Sequence, residues 1–312
     1  MRFLLTMLGL ALLGLPNAQA QRRANSQFIP FSEVGLGGGS SFYLGELSPP
    51  SQAFQSFSFL PRWNLGGSFT RHFNPHFSAR ASLMVIRLAG DDYSFNKDEP
   101  NLHPIQFQRN LHFRNDLKEL ALSGLYQFIP EGRRTNQRPS FTPYLTLGVA
   151  LVAHNPKARA PVNADGSLAD WVALQPLGTE GQGLPGYAKP YSLLTVAIPA
   201  GAGLRWQLTE SLNLAAEISF RYTFTDYLDD ISGLYPNPGD LPSGLSTTFS
   251  DRRAEPIAAR TGDDRTKALS TLYAVPTEVR RGLAGNDYYI LTQLSIHYLI
   301  PPSIIKCPVF RR

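Results

Sequence analysis

From about residue 62 to residue 300 the chain repeatedly alternates apolar with small or polar residues at a period of two, the pattern of strands whose two faces meet different surroundings. Between Arg62 and Phe73, Trp63, Leu65 and Phe69 alternate with Asn64, Gly66, Ser68, Thr70 and His72. From Phe77 to Leu88, Phe77, Ala79, Ala81, Leu83 and Val85 oppose Ser78, Arg80 and Ser82. Leu120, Leu122, Tyr126 and Phe128 oppose Glu119, Ala121, Ser123 and Gln127, and Leu145, Leu147, Val149 and Leu151 oppose Thr146, Gly148 and Ala150. Leu194, Val196, Ile198, Leu204 and Trp206 oppose Thr195, Ala197, Gly201, Gly203 and Arg205. Leu212, Leu214, Ile218, Phe220, Tyr222 and Phe224 then oppose Asn213, Glu217, Ser219, Arg221 and Thr223. A last strand from Tyr288 to Ile300 sets Ile290, Leu294, Ile296 and Tyr298 against Gln293, Ser295 and His297, and a glycine-rich first strand runs near Glu33 to Leu44.

Connections between these strands alternate strictly in length. Those near Asn74, at residues 129–140 and near Thr209 are short, whereas 45–61, 90–110, 154–190 and 228–286 are long. Eight antiparallel strands in this order predict an all-β, antiparallel transmembrane β-barrel, with long extracellular loops, short periplasmic turns and periplasmic termini. A further hairpin around residues 268–275 would raise the count to ten without changing the parity.

Alternation alone fits a soluble β-sandwich or lipocalin equally well; the character of the second face separates them. A soluble barrel fills its interior with apolar side chains, but here the face opposite the apolar one carries Arg80, Glu119, Arg205, Glu217 and Arg221. Glu217 and Arg221 share a strand face and Arg205 lies on the preceding strand, so a Glu–Arg cluster inside the barrel is expected. Eight strands leave room for side chains only, which favours a plugged lumen over a proton or substrate path.

The N-terminus explains how such a chain reaches a membrane. Arg2, an apolar run from Phe3 to Leu15 and Ala18-Gln19-Ala20 match a secretory signal over residues 1–20, with the mature chain starting near Gln21. That run is too short for a spanning helix, and after residue 20 there is no second uninterrupted apolar segment, so a membrane-embedded mature chain must be a closed barrel. The expected organisation is signal peptide 1–20, outer-membrane barrel 21–300 and periplasmic tail 301–312. Charged residues make up only 17% of the chain, beside 26 glycines and 25 prolines, which suits strands and loops better than helix bundles. The net charge of +5 forms no aromatic-interleaved stripe, so nucleic acid is set aside as a partner. The single cysteine, Cys307, rules out an internal disulfide and leaves a tail thiol for pairing between chains.

Chemistry at the outer rim would need converging groups. Asp226, Asp229 and Asp230, with Asp91 and Asp92 in another outer loop, are candidates for a hydrolytic or Ca²⁺ site, against the plainer expectation of solvated rim charges. His72, His76, His103, His112, His154 and His297 show no metal-ligand spacing, and no G-x-S-x-G motif accompanies them. No catalytic, cofactor or metal residues are therefore assigned. Residues 174–192, LQPLGTEGQGLPGYAKPYS, space glycines and prolines so as to form either a fixed turn-rich cover on the barrel mouth or a flexible loop.

YLGELSP, RNLHFRNDLKELAL, FTPYLTLGVA followed by HNPKA, the 174–192 segment, AIPAGAGLRWQL, EISFRYTFTDYLDDISG and the terminal KCPVF, in that order, resemble the PorG-like outer-membrane barrels of the type IX secretion system. The resemblance implies a non-enzymatic component of the secretion and gliding machinery of Bacteroidetes-type bacteria. Such a component sits in outer-membrane lipid and associates with a periplasmic ring built from a lipoprotein and its partner subunit. The tail is then the expected docking element: Pro301-Pro302 stops the last strand, Lys306, Arg311 and Arg312 offer charge, and Cys307 is the candidate for a disulfide to the ring lipoprotein. The Pro-, Ser- and Arg-rich stretch 236–285 matches no family motif. The alternative is a barrel hydrolase acting at the outer rim.

Overall fold

The computed structural model describes residues 28–48, 62–132, 137–163, 165–242, 244–272, 281–282 and 285–300. The expected signal segment, the tail and Cys307 lie outside them.

Eight strands close a barrel: β1 (Phe31–Leu44), β2 (Asn64–His72), β3 (Phe77–Asp91), β4 (His112–Gln127), β5 (Phe141–Ala153), β8 (Leu194–Gln207), β9 (Leu212–Thr223) and β10 (Tyr288–Ile300). Each pairs antiparallel with the next, and β10 returns to β1 over the register Ser32↔Ile300 to Leu44↔Tyr288. Two short strands, β6 (Lys157–Arg159) and β7 (Trp171–Ala173), form a hairpin that extends β4 beyond the wall at the long-loop end. An extra pair of strands thus falls in the 154–190 connection; a short helix takes Thr266–Ser270, and residues 273–275 of the expected hairpin lie outside the described residues.

Small polar residues set the tight turns at the short-turn end. The Asn74 side chain accepts from the backbone N–H of His76 and Phe77, both at 2.9 Å, and the Thr209 hydroxyl accepts from Ser211 and Leu212. At the opposite end the chain builds α1 (Asp92–Asn96), capped by the Asp91 carboxylate, and α2 (Pro104–Arg109), which opens on a proline and ends at Asn110 with φ 59°. A further helix, α3 (Gly244–Ser250), precedes the one at Thr266–Ser270, which is α4.

The outward positions carry the apolar residues that alternation assigns there. Leu36 is 75% exposed, with Leu65, Leu83, Leu122, Leu147, Ile218 and Leu294 around the same belt. Aromatic residues border it: Phe73, Phe77, Phe128 and Phe141 toward the turns, Trp63, Tyr222 and Phe224 toward the loops. An apolar belt bounded by aromatics, around an interior of ion pairs, is the construction of an outer-membrane barrel, and the long-loop end is its extracellular side.

The inner face is not uniformly polar. Toward the loops, inward Ile86, Leu88, Phe113, Leu117, Val152 and Leu291 join Tyr43, Leu47, Leu228 and Ile231 in an apolar core. Loops that fold back over the mouth need something to pack on, and these residues supply it. Lower down, the glycines of β1 let neighbours cross close to its backbone. A Cβ on Gly39 would lie 1.9 Å from the Thr292 carbonyl oxygen, and over this gap the Asn64 amide donates both to Ser40 O and to Thr292 O.

Candidate functional site

The inward charges divide into three levels. Nearest the turns, Glu33 of β1 is the hub: His72 Nε2 lies 3.3 Å, Arg205 Nη1 3.6 Å and His297 Nδ1 3.7 Å from its carboxylate, and the Asn213 amide donates to it at 3.0 Å. Arg205 also pairs with Glu131, while Arg138 donates to Asn213 Oδ1 and to the carbonyls of Thr209 and Glu210. Both Glu131 and Arg138 belong to the 129–140 connection and both are buried, so the described part of that connection packs into the periplasmic mouth. At mid-height Arg80 meets Glu217 at 2.7 Å, and the Tyr144 hydroxyl donates to the same carboxylate at 2.9 Å. Above them Arg221 lies 3.3 Å from Glu119, which also accepts from Tyr289 at 2.6 Å.

Within the expected interior cluster the closest contacts therefore fall at three levels. Glu217 and Arg221 share a face, but four residues along a strand are about 13 Å apart, so each meets a partner across the lumen instead. The space left between Arg80, Glu217, Arg221 and His297 is about 30 Å³, room for a water or two. All five residues singled out from the sequence point inward; Glu33, which organises the lowest level, is hidden in the glycine-rich strand.

Two Ser–His–Glu sequences of contacts arise around Glu33. Ser78 Oγ lies 2.8 Å from His72 Nδ1, and Ser295 Oγ lies 2.9 Å from His297 Nε2. The order resembles a hydrolytic triad, but Ser78, His72 and Glu33 are all buried and the His72 ring is stacked on Phe31 at 4.2 Å. No substrate carbonyl reaches that hydroxyl, so the array serves the packing of the lumen. His72 is thus an interior residue rather than the rim residue its place beside a turn suggests.

The outer-loop acids are not solvated rim charges: Asp91, Asp92, Asp229 and Asp230 are buried beneath a cap formed by the long loops. Nor do they converge. Asp91 pairs with Arg260 and Asp92 with Arg109, while Asp226 accepts from Ser232 and Gly285. Asp230 accepts from Thr179 at 2.5 Å and Tyr191 at 2.6 Å and faces Arg281. The segment 174–192 is a fixed cover: a 3₁₀ turn at Gln175–Leu177, four glycines at positive φ, and Tyr191 stacked on Tyr227 at 4.4 Å. Its Glu180 accepts from the backbone of Ser232 and Gly233, which joins it to the 226–233 loop.

Buried arginines hold this cap, and most lie in the stretch that carries no motif. Arg252 donates to Arg159 O, Arg265 to Phe107 O and Gln108 O, and Arg281 to the carbonyls of Ser250 and Phe249 while facing Glu180 and Asp230. A guanidinium has five donors, enough to bind several loops at once. In sequence these arginines are indistinguishable from those of a solvated loop.

Among the described residues one group of three metal-type ligands occurs, Glu46, Asp229 and Asp287, with carboxylate oxygens within 4.8 Å of one another. Ca²⁺ takes six to eight oxygens. Here Asp229 already accepts from Ile231 N–H and Asp287 from Leu228 N–H, while the Tyr43 hydroxyl lies 2.8 Å from Asp229 Oδ2 and 2.7 Å from Asp287 Oδ1. One hydroxyl proton cannot serve both carboxylates, so a carboxyl proton fills the second contact. Burial, with the mutual repulsion of these acids, pushes Asp229 and Asp287 well above the ordinary carboxyl range, and burial lifts Asp230 to about 6. The donor set fits a protonated carboxyl cluster better than a cation.

Groups whose folded pKa is raised stabilise fully below the ordinary carboxyl value of 3.8 and lose that contribution as pH rises through the raised value. Asp229→Asn keeps the acceptor for Ile231 and supplies a donor where the shared proton sat. At pH 8 it is expected to stabilise the cap. The gain should vanish toward pH 4, as read by hydrogen exchange of the 226–233 loop at the two pH values; equal effects at both would refute the shared proton.

No family model matches the chain, and no curated relative matches it. Among solved structures it is similar to a major outer-membrane protein of Thermus thermophilus, at 11% identity over 87% of this chain and 99% of that one with a TM-score of 0.38. It is also similar to Neisserial surface protein A, at 9% identity over 86% and 96% with a TM-score of 0.37. A third is the N-terminal β-barrel domain of Pseudomonas aeruginosa OprF, at 11% identity over 86% and 97% with a TM-score of 0.33. These likenesses concern barrel architecture, and nothing about the activity of this chain is taken from them.

Proposed function

We propose that this outer-membrane barrel is a non-enzymatic component of the type IX secretion machinery, with a part in gliding, and that it docks the periplasmic ring to the outer membrane. One observation carries the reading: the segments that resemble PorG-like barrels supply residues to both the inner network and the cap. They include Tyr43 and Glu46, Arg109 and Glu119, Glu180 and Tyr191, Arg205, Glu217 and Arg221, and Asp229 and Asp230. The resemblance thus includes residues whose contacts fix the fold. A barrel filled by ion pairs and covered by its loops acts through its surfaces, and its periplasmic end, where Arg138 and Glu131 are tied to the wall, offers a base for a partner.

The rim-hydrolase alternative draws no support from the acids, which point to different partners. Docking is tested by affinity purification of the barrel from mildly solubilised membranes. Ring lipoprotein and ring subunit are expected in the eluate, and secretion should fall when residues 301–312 are deleted. An isolated barrel, or intact secretion without the tail, would overturn docking. On non-reducing gels Cys307→Ser should abolish a high-mass band that contains the ring lipoprotein; an unchanged pattern removes the disulfide.

A further inference from the structure

We propose that a patch on the outer wall between β2 and β7 binds a phosphate-bearing lipid headgroup of the outer leaflet, the acyl chains lying in the apolar groove below it. The patch is independent of the ring reading. Arg87 of β3 and Arg114 of β4 share one carboxylate, Asp116, at 2.6 and 3.7 Å. Lys157 pairs in register with Arg114, and Arg159 follows on the same pleat of β6. Lys118 lies two outward steps beyond Arg114 on β4, one beyond Asp116. Five cations therefore surround one ion-paired carboxylate, and among the described residues Lys118 and Lys157 form no ion pair.

Two tryptophans hold the guanidinium planes in place. Trp171 takes Arg114 at 4.4 Å and Arg159 at 5.1 Å from its ring centre, and Trp63 takes Arg87 at 5.2 Å. The backbone of Arg87 donates to Trp63 O at 2.8 Å, so that the pair is fixed from both ends. Guanidiniums held in this way lose little freedom on meeting an anion, and their forks suit phosphate oxygens.

Position selects the occupant. The patch continues the outward pleat of β3 and β4 just beyond the apolar belt, where headgroups meet water. Immediately beneath Lys118 lies a groove lined by Gly67, Leu83, Val85, Leu120 and Leu151. Among the described residues, the outward positions toward the loops on β8, β9 and β10 are Leu194, Tyr222 and Tyr288, none of them cationic. An evenly spread belt of interfacial anchors would be distributed around the barrel. A one-sided cluster of cations above an apolar groove fits one anionic amphiphile.

The purified full-length barrel in dodecyl maltoside, challenged with diphosphoryl lipid A and followed by native mass spectrometry, tests this. Lipid A is expected to be retained, and its dephosphorylated form and inorganic phosphate are not. Lys118→Gln with Lys157→Gln should weaken retention about tenfold or more. Arg87→Gln with Arg114→Gln should do the same, each variant being checked for the heat-modifiable migration of a folded barrel. Equal retention of the dephosphorylated lipid would leave only the groove, displacement of lipid A by inorganic phosphate would make this a free-anion site, and unaltered retention by folded variants would place the lipid elsewhere. Each of these results overturns the proposal.

Discussion

Glu33→Ala is expected to destabilise the folded barrel by about 3 to 5 kcal/mol, the usual cost of removing one partner from a buried ionic group. The residue is 2% exposed and faces two histidines, Arg205 and Asn213. All of these are buried, so water is a poor substitute for the lost carboxylate. Arg205 retains Glu131, which sets the loss toward the lower end of the range. The measurement is the urea midpoint of the barrel in lipid vesicles. The double variant with Arg205→Ala should lose less than the sum of the two single losses, because the cation left behind is then gone as well. A midpoint unchanged by Glu33→Ala would mean that the lowest level is hydrated and that the hub has no energetic weight.

Arg281→Ala should act on the cap and leave the wall intact. Its guanidinium is buried and joins the 174–192 cover, through Glu180, to Asp230 and to the end of α3. Removal leaves two buried acids without their cation, a local cost of about 3 to 5 kcal/mol. Proteolysis of the cap in outer-membrane vesicles should then accelerate about a hundredfold or more, since cleavage follows the population of the open form. Arg281→Lys should recover only part of the protection, because an ammonium cannot span the same acceptors. Equal cleavage of the variant and the parent protein would show that the cap stands without this residue.

The wall is legible in the sequence because lipid imposes a single rule on every outward position. Leu65, Leu83, Leu147 and Ile218 can be placed from a period of two, and the short turns from Asn74-Pro75 and Thr209. What happens inside obeys no local rule. Whether Glu217 meets Arg221, four residues along, or Arg80, on a strand far off in the chain, depends on which side chains face each other across the lumen. The cap is harder still. Arg252, Arg265 and Arg281 bind backbone carbonyls of loops distant in sequence, and a carbonyl looks the same under every residue type. Inward Ile86, Leu88 and Leu117 break the expected polar face and are, in hindsight, the signal that loops fold down onto the barrel mouth.

The seam between β1 and β10 has a consequence for the order in which the molecule is made. It joins residues 32–44 to 288–300, so nearly the whole chain must be delivered before the ring of strands can close. Until then two strand edges stand open, and open edges are not tolerated in hydrocarbon. His297 meets Glu33 only across that seam, so the lowest ionic level is completed in the same event that closes the wall. Closure is therefore the longest-range strand pairing that the chain makes. A chain truncated within β10 should remain an unclosed sheet in the care of whatever escorts it, rather than become a smaller barrel.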